Sequence, residues 1–148
     1  MVAGEILAMR AAKQRSRAFR AFGFTLAAAA SAAANCPVVA QEASLEGSWS
    51  GSGRIDLSTG NSERATCRAS FSRQSSTSYA VSAVCATPSA RVSQSGVVRR
   101  VGANHFAGTF HNSEYNVSGS LSMTARGSNR LSVSLSGGGA SANLELRR

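Results

Sequence analysis

Two cysteines, Cys67 and Cys85, stand eighteen positions apart in the body of the chain, and an even pair of this kind joins as a disulfide in an oxidising compartment. A third, Cys36, sits apart from them in an alanine-rich N-terminal region. The two histidines, His105 and His111, share one alternation parity of a single segment, with Glu114 close to His111 across a short turn. A structural or catalytic metal needs at least a third or fourth ligand, and none stands at an obvious spacing, so neither metal nor cofactor is expected. Serines are plentiful, but a nucleophilic serine needs a base and an orienting acid held together in a pocket. Asp56, the sole aspartate, takes an outward parity, where Arg64 is its expected cross-strand partner. There are no paired inward carboxylates and no glycine-rich phosphate loop. The residues therefore argue against an enzyme, and no catalytic residue is assigned.

The N-terminal region carries Arg10, Lys13, Arg15, Arg17 and Arg20 without an intervening acid, then a mainly alanine run from Ala21 to Ala34. This is the order of a secretory signal peptide, and Val38-Val39-Ala40 places small residues where a signal peptidase cuts. Residues 1–40 are read as a cleaved leader and 41–148 as one domain. A membrane-spanning helix needs about 20 apolar residues, more than the run supplies. Cys36 would leave with the leader. Lipidation at Cys36 is the one route to a membrane anchor, but Asn35 precedes it where a lipoprotein signal needs a small residue. The expected location is periplasmic or secreted. Beyond residue 40 the chain has eleven arginines, no lysine and six acids, a net charge of +5. Such a balance keeps a protein soluble and also suits anionic cell-envelope polymer as a partner; nucleic acid is not expected for an exported chain.

The elements that would carry these residues are strands. From Leu45 to Leu57 every odd position is apolar or glycine and every even position polar, the period of two that marks a half-buried strand. The alternation returns in Ala65–Phe71 and Tyr79–Cys85. If the hairpin between these two pairs residues whose numbers sum to 152, Phe71 meets Val81 and Cys67 lies opposite Cys85, within reach of a disulfide. Apolar parity and cysteine spacing thus select the same register. Arg91 to Val101 mixes its parities, and a bulge would reconcile Val92 and Val98 with Val97 and Val101. Further strands run through Phe106–Phe110, Tyr115–Met123, Leu131–Leu135 and Ala140–Leu146, the last pair joined by a Gly137-Gly138 turn.

Eight short strands with hairpin-length connections predict an all-β, eight-stranded antiparallel up-and-down barrel, in which closure removes the edges of the first and last strands. An outer-membrane barrel would need strands of about 9 to 11 residues and aromatic girdles, which this pattern lacks. The inward residues include Trp49, Phe71, Tyr79, Phe106, Phe110 and Tyr115, and eight strands enclose little beyond their own side chains. No roomy ligand cavity is expected, and only the Tyr79 and Tyr115 hydroxyls offer polar groups to one.

At Gly47-Ser48-Trp49 the chain resembles the calycin group, the small β-barrels that include lipocalins, avidins and the bacterial periplasmic inhibitors of secreted metalloproteases. The resemblance implies that Gly47 and Trp49 open the first strand and that Arg148, at the end of the last, covers the tryptophan. Among calycins the layout is most similar to that of the protease inhibitors, which are exported and carry one disulfide after the first strand. It implies that Gln41, Glu42, Ala43, Ser44 and Leu45 form the segment that contacts a partner protein. The chain is also similar to small exported proteins of Gram-negative bacteria. Two functions follow as expectations: a non-enzymatic binding or protease-inhibitor-like module, or an envelope-associated protein that meets anionic polymer through its arginines.

The disulfide closes a loop that should contribute about 3 kcal/mol, chiefly by restricting the unfolded chain. A Cys67→Ser/Cys85→Ser variant is expected to unfold at markedly lower urea concentration than the parent, with no free thiol detectable in the parent once the leader and its Cys36 are removed.

Overall fold

A computed structural model describes residues 41–148. The expected leader, including Cys36 and the cut after Ala40, lies outside the described residues. Eight strands follow one another: β1 (Gly47–Asp56), β2 (Ser62–Arg73), β3 (Ser78–Ala86), β4 (Arg91–Arg100), β5 (His105–Asn112), β6 (Val117–Arg126), β7 (Arg130–Gly137) and β8 (Ala140–Arg147). Each pairs antiparallel with the next, and β8 returns to pair with β1, so the sheet closes into an up-and-down barrel. Among the described residues there is no helix.

Alternation sets which side chains enter. On β2, Ala65, Cys67, Ala69 and Phe71 are buried while Arg64, Thr66, Arg68 and Ser70 are exposed. The β2–β3 register is the expected one: Phe71 faces Val81, Cys67 faces Cys85, and the two sulfurs are bonded. Two features of the sequence reading change. The expected bulge in β4 is absent, because the strand keeps one register against both β3 and β5. Its even positions point inward, leaving Val97 49% and Val101 66% exposed. An exposed β-branched residue suits a pleated outer face, so the misplaced valines were tolerable and the bulge unnecessary. The last hairpin turns at Gly138-Gly139, one residue later than expected, with φ of 62° and 75°. Positive φ at both turn positions is the type I′ geometry that matches the twist of the strands.

Closure depends on places where one strand's backbone lies against the next strand with no side chain between. A Cβ on Gly51 would sit 1.9 Å from the Glu145 carbonyl oxygen, and one on Gly53 1.9 Å from that of Asn143. These two glycines form the β1–β8 seam. The β4–β5 corner repeats the device: a Cβ on Gly108 would lie 1.9 Å from the Val97 carbonyl oxygen. Gly51 thus makes room for the backbone of β8.

Gly51→Ala should therefore cost at least the 1–3 kcal/mol or so typical of overpacking, since the obstacle is backbone that cannot rotate away. The urea midpoint measures this, with a larger loss than for alanine placed at an exposed serine such as Ser52.

Candidate functional site

The two ends of the barrel are built differently. At one end, where β1 begins and β8 finishes, the rings of Trp49, Tyr79 and Phe106 are buried together with Leu45, Val98 and Leu131. Tyr79 and Phe106 meet edge to face, with centroids 5.9 Å apart. Three arginines lie over the three rings: Arg148 over Trp49 at 4.6 Å, Arg100 over Phe106 at 4.8 Å, and Arg73 over Tyr79 at 5.3 Å. The cover expected of Arg148 is present; Arg73 and Arg100 stand directly opposite their rings across the β2–β3 and β4–β5 hairpins, and the β2–β3 register read from the sequence already sets Arg73 against Tyr79.

The same arginines hold the segment that precedes β1. Arg148 donates to the carbonyls of Glu46 (2.8 Å) and Ser44 (3.3 Å), and Arg100 donates to that of Ala43. Arg73 reaches the Glu46 carboxylate at 3.4 Å and the Ser44 hydroxyl at 3.3 Å. The Trp49 indole N–H donates to the Leu45 carbonyl at 2.7 Å, and the Leu45 side chain is fully buried. Of Gln41, Glu42, Ala43, Ser44 and Leu45, only Gln41 and Glu42 are freely exposed. The segment is a stopper, seated in the barrel and gripped from three sides.

The opposite end is open. A cavity of about 310 Å³ extends inward from the loops that join β1–β2, β3–β4, β5–β6 and β7–β8. This corrects the expectation of a filled interior. The reason is the placement of small residues: Ala69, Ala83 and Ala142 line the space where longer side chains would have met. Phe71, Phe110 and Met123 line it at depth, and the Cys67–Cys85 pair forms part of its wall. Trp49, Tyr79 and Phe106 are not among its lining residues.

Two carboxamides interrupt the apolar lining. Gln94 on β4 and Asn112 on β5 both take the inward parity, and continuation of the β4–β5 register sets them opposite each other. Asn112 is 5% exposed and accepts the Tyr115 backbone N–H at 3.0 Å through its side-chain oxygen, which leaves its amide N–H groups for the cavity. Neither stands out in the sequence: the parity of β4 is ambiguous at Gln94, and Asn112 lies where the chain turns between His111 and Glu114. The tyrosines move as well. Tyr79 lies at the closed end with its hydroxyl buried and unpartnered, and Tyr115, expected inside β6, is 59% exposed in the β5–β6 loop, lining the rim.

At the rim Glu63 accepts the Ser89 hydroxyl at 2.7 Å. That bond, with help from Thr87, holds the Glu63 carboxyl below its ordinary range. Asp56 bonds to the Ser62 hydroxyl instead of Arg64, which β1–β2 pairing sets opposite Arg54. The histidines bond to hydroxyls on β6, His111 to Ser118 at 2.9 Å and His105 to Thr124 at 3.1 Å. Among the described residues no three His, Cys, Asp or Glu side chains are grouped to hold a metal.

No protein-family description matches the chain, and no curated protein matches it. Solved structures do. A redesigned β-barrel, mFAP1, bound to DFHBI, superimposes with a TM-score of 0.61 at 13% identity, covering 70% of this chain and 94% of that one. A second redesigned barrel, mFAP0, also bound to DFHBI, gives 0.61 at 14% identity, covering 70% and 98%. A de novo designed fluorescence-activating β-barrel gives 0.55 at 14% identity, covering 70% and 92%. The likeness is one of architecture, an eight-stranded antiparallel barrel, and no link to protease inhibitors accompanies it.

The closed end sets an expected ranking. Trp49→Ala should lose about 3–5 kcal/mol of stability, the usual cost of truncating a buried large aromatic, and Arg148→Ala about 0.5–2 kcal/mol. Urea titrations followed by tryptophan emission check both for the parent and Arg148→Ala; circular dichroism serves for Trp49→Ala.

Proposed function

We propose that this chain is an exported, non-catalytic binding protein that takes a small, neutral, largely apolar molecule into the open end of its barrel. The observation that carries this reading is the cavity of about 310 Å³, mostly apolar, with Gln94 and Asn112 on its wall and further polar groups, among them Glu63, Thr87 and Ser89, in its lining. Ligand sites are typically concave, mostly apolar and furnished with a few placed polar groups, and this volume is at their lower limit. A cavity of about 150 Å³ lined by apolar side chains takes a benzene ring, so the space here suits about two rings. The carboxamides would hold one carbonyl or hydroxyl of such a ligand. Glu63, a carboxylate ionised at neutral pH whose charged form the Ser89 and Thr87 hydroxyls favour further, disfavours an anion at the rim. The sealed opposite end supports a single entrance, and the disulfide in the wall suits an oxidising compartment.

A protease-inhibitor-like role through Gln41–Leu45 would require Leu45 to leave the core, Arg100 and Arg148 to release the backbone, and Arg73 to release the Ser44 hydroxyl. The cavity is therefore the favoured reading.

The test uses 1-aminoanthracene, a neutral fluorescent probe. Saturable one-to-one binding with a blue-shifted emission is expected in the parent. Ala83→Phe, which fills the space from the wall, should abolish it while the protein stays folded. Gln94→Leu should weaken a carbonyl-bearing competitor by about two- to tenfold, the worth of one hydrogen bond, and leave an all-hydrocarbon competitor unchanged. Probe binding that persists in Ala83→Phe would overturn the proposal.

A further inference from the structure

The closed sheet brings together arginines that are scattered in sequence. Along one ring of the barrel the outward positions run Arg68 on β2, Ser50 on β1, Arg147 on β8, Arg130 on β7 and Arg126 on β6, each directly opposite the next. With strands about 4.8 Å apart, this row spans about 19 Å. Four residues further along β2 and β1, Arg64 and Arg54 form another directly opposed pair. All six side chains are exposed.

Three of these pairings, Arg130 with Arg147, Arg126 with Arg130, and Arg54 with Arg64, set like charges face to face. Such pairs destabilise a sheet. Among the described residues the ion pairs are Arg73–Glu46 and Arg100–Glu42, both at the closed end, so no carboxylate neutralises the row. Glu145, the acid nearest its centre, is bonded to the Ser132 hydroxyl. Folding alone gives no reason for this arrangement; an anionic partner does. Guanidinium groups bind carboxylate and phosphate through paired hydrogen bonds, which makes arginine the suitable cation for such contacts.

The surroundings identify the class of anion. Between and beside the arginines the outward positions are Ser50, Ser52, Thr124, Ser132, Ser134 and Asn143, groups that donate to and accept from sugar hydroxyls, with Glu145 the one acid among them, opposite Ser52 and Ser132. No aromatic side chain lies on the outward parity of β6, β7, β8, β1 or β2, so there is no platform on which a base could stack. We infer that the outer face of β2–β1–β8–β7–β6 is a binding surface for a linear acidic polysaccharide, laid across the strands along the arginine row. This site is on the outside of the barrel and is independent of the cavity.

Polygalacturonate oligomers serve as the carboxylated probe and heparin oligosaccharides as the sulfated one, with dextran and oligothymidylate for comparison, each titrated over a range of salt. The parent should bind both acidic glycans, dextran not at all, and oligothymidylate more weakly. Arg126→Ser/Arg130→Ser/Arg147→Ser should weaken the acidic glycans by about tenfold or more and lower the salt slope by about 3. Its melting temperature should hold or rise as the like-charge pairs disappear. Arg91→Ser/Arg99→Ser, on the other side of the barrel, should leave glycan binding unchanged. Undiminished binding by the triple variant, equal loss in the double variant, or tighter binding of oligothymidylate than of either glycan would overturn the inference. So would a lower melting temperature in the triple variant, which would make the row a folding requirement.

Discussion

The whole architecture depends on the approach of β1 to β8. A closed barrel has no sheet edge, whereas eight open strands of this length would present two. Closure needs the first and last strands to pair while the sheet curls tightly, and the curl brings the Glu145 and Asn143 carbonyls to within 1.9 Å of where a Cβ would stand on Gly51 and Gly53. Only glycine permits that contact. Both the stopper and the cavity follow from it, because an interior exists only once the seam is shut.

Within that interior the size of the side chains is graded along the barrel axis. Trp49, Tyr79, Phe106 and Leu45 fill one end completely, and alanines at Ala69, Ala83 and Ala142 leave space towards the other. The arginine layer completes the division. Arg73, Arg100 and Arg148 each present an apolar-compatible flat face to a ring and use their N–H groups on the backbone or side chains of residues 43–46. A guanidinium can do this because it is planar and weakly hydrated, which a lysine ammonium is not. The absence of lysine beyond residue 40 is consistent with a chain whose cations make directional contacts.

The remaining arginines show the opposite balance. At the closed end each cation has a ring, a carbonyl or a carboxylate beside it, while on the outer face of β6–β7–β8–β1–β2 cations face cations across the ladder. Exposed cross-strand charge pairs are worth only about 0.2–1 kcal/mol each, so the repulsion is small enough to be carried by a barrel with a buried core and a disulfide. The outer face is consequently free to be specified by something other than folding.

By itself the sequence determined the strand count, the β2–β3 register with its cysteine pair, and the inward parity of most strands, because alternation with a period of two is local and a one-residue slip would expose a whole strand's apolar set. Tyr115 and the β4 valines escaped it where turns and exposed β-branched residues blur the period. The tertiary structure alone decided what meets across strands distant in sequence. Gly51 and Gly53 meet the backbone of β8; Arg73, Arg100 and Arg148 come together on residues 43–46; Gln94 and Asn112 converge on one wall. The cavity itself belongs to this second class, since an empty volume depends on side chains from several strands failing to reach one another, and no single strand's pattern carries that sum. Arg126, Arg130 and Arg147 likewise become one row only through the register of closure.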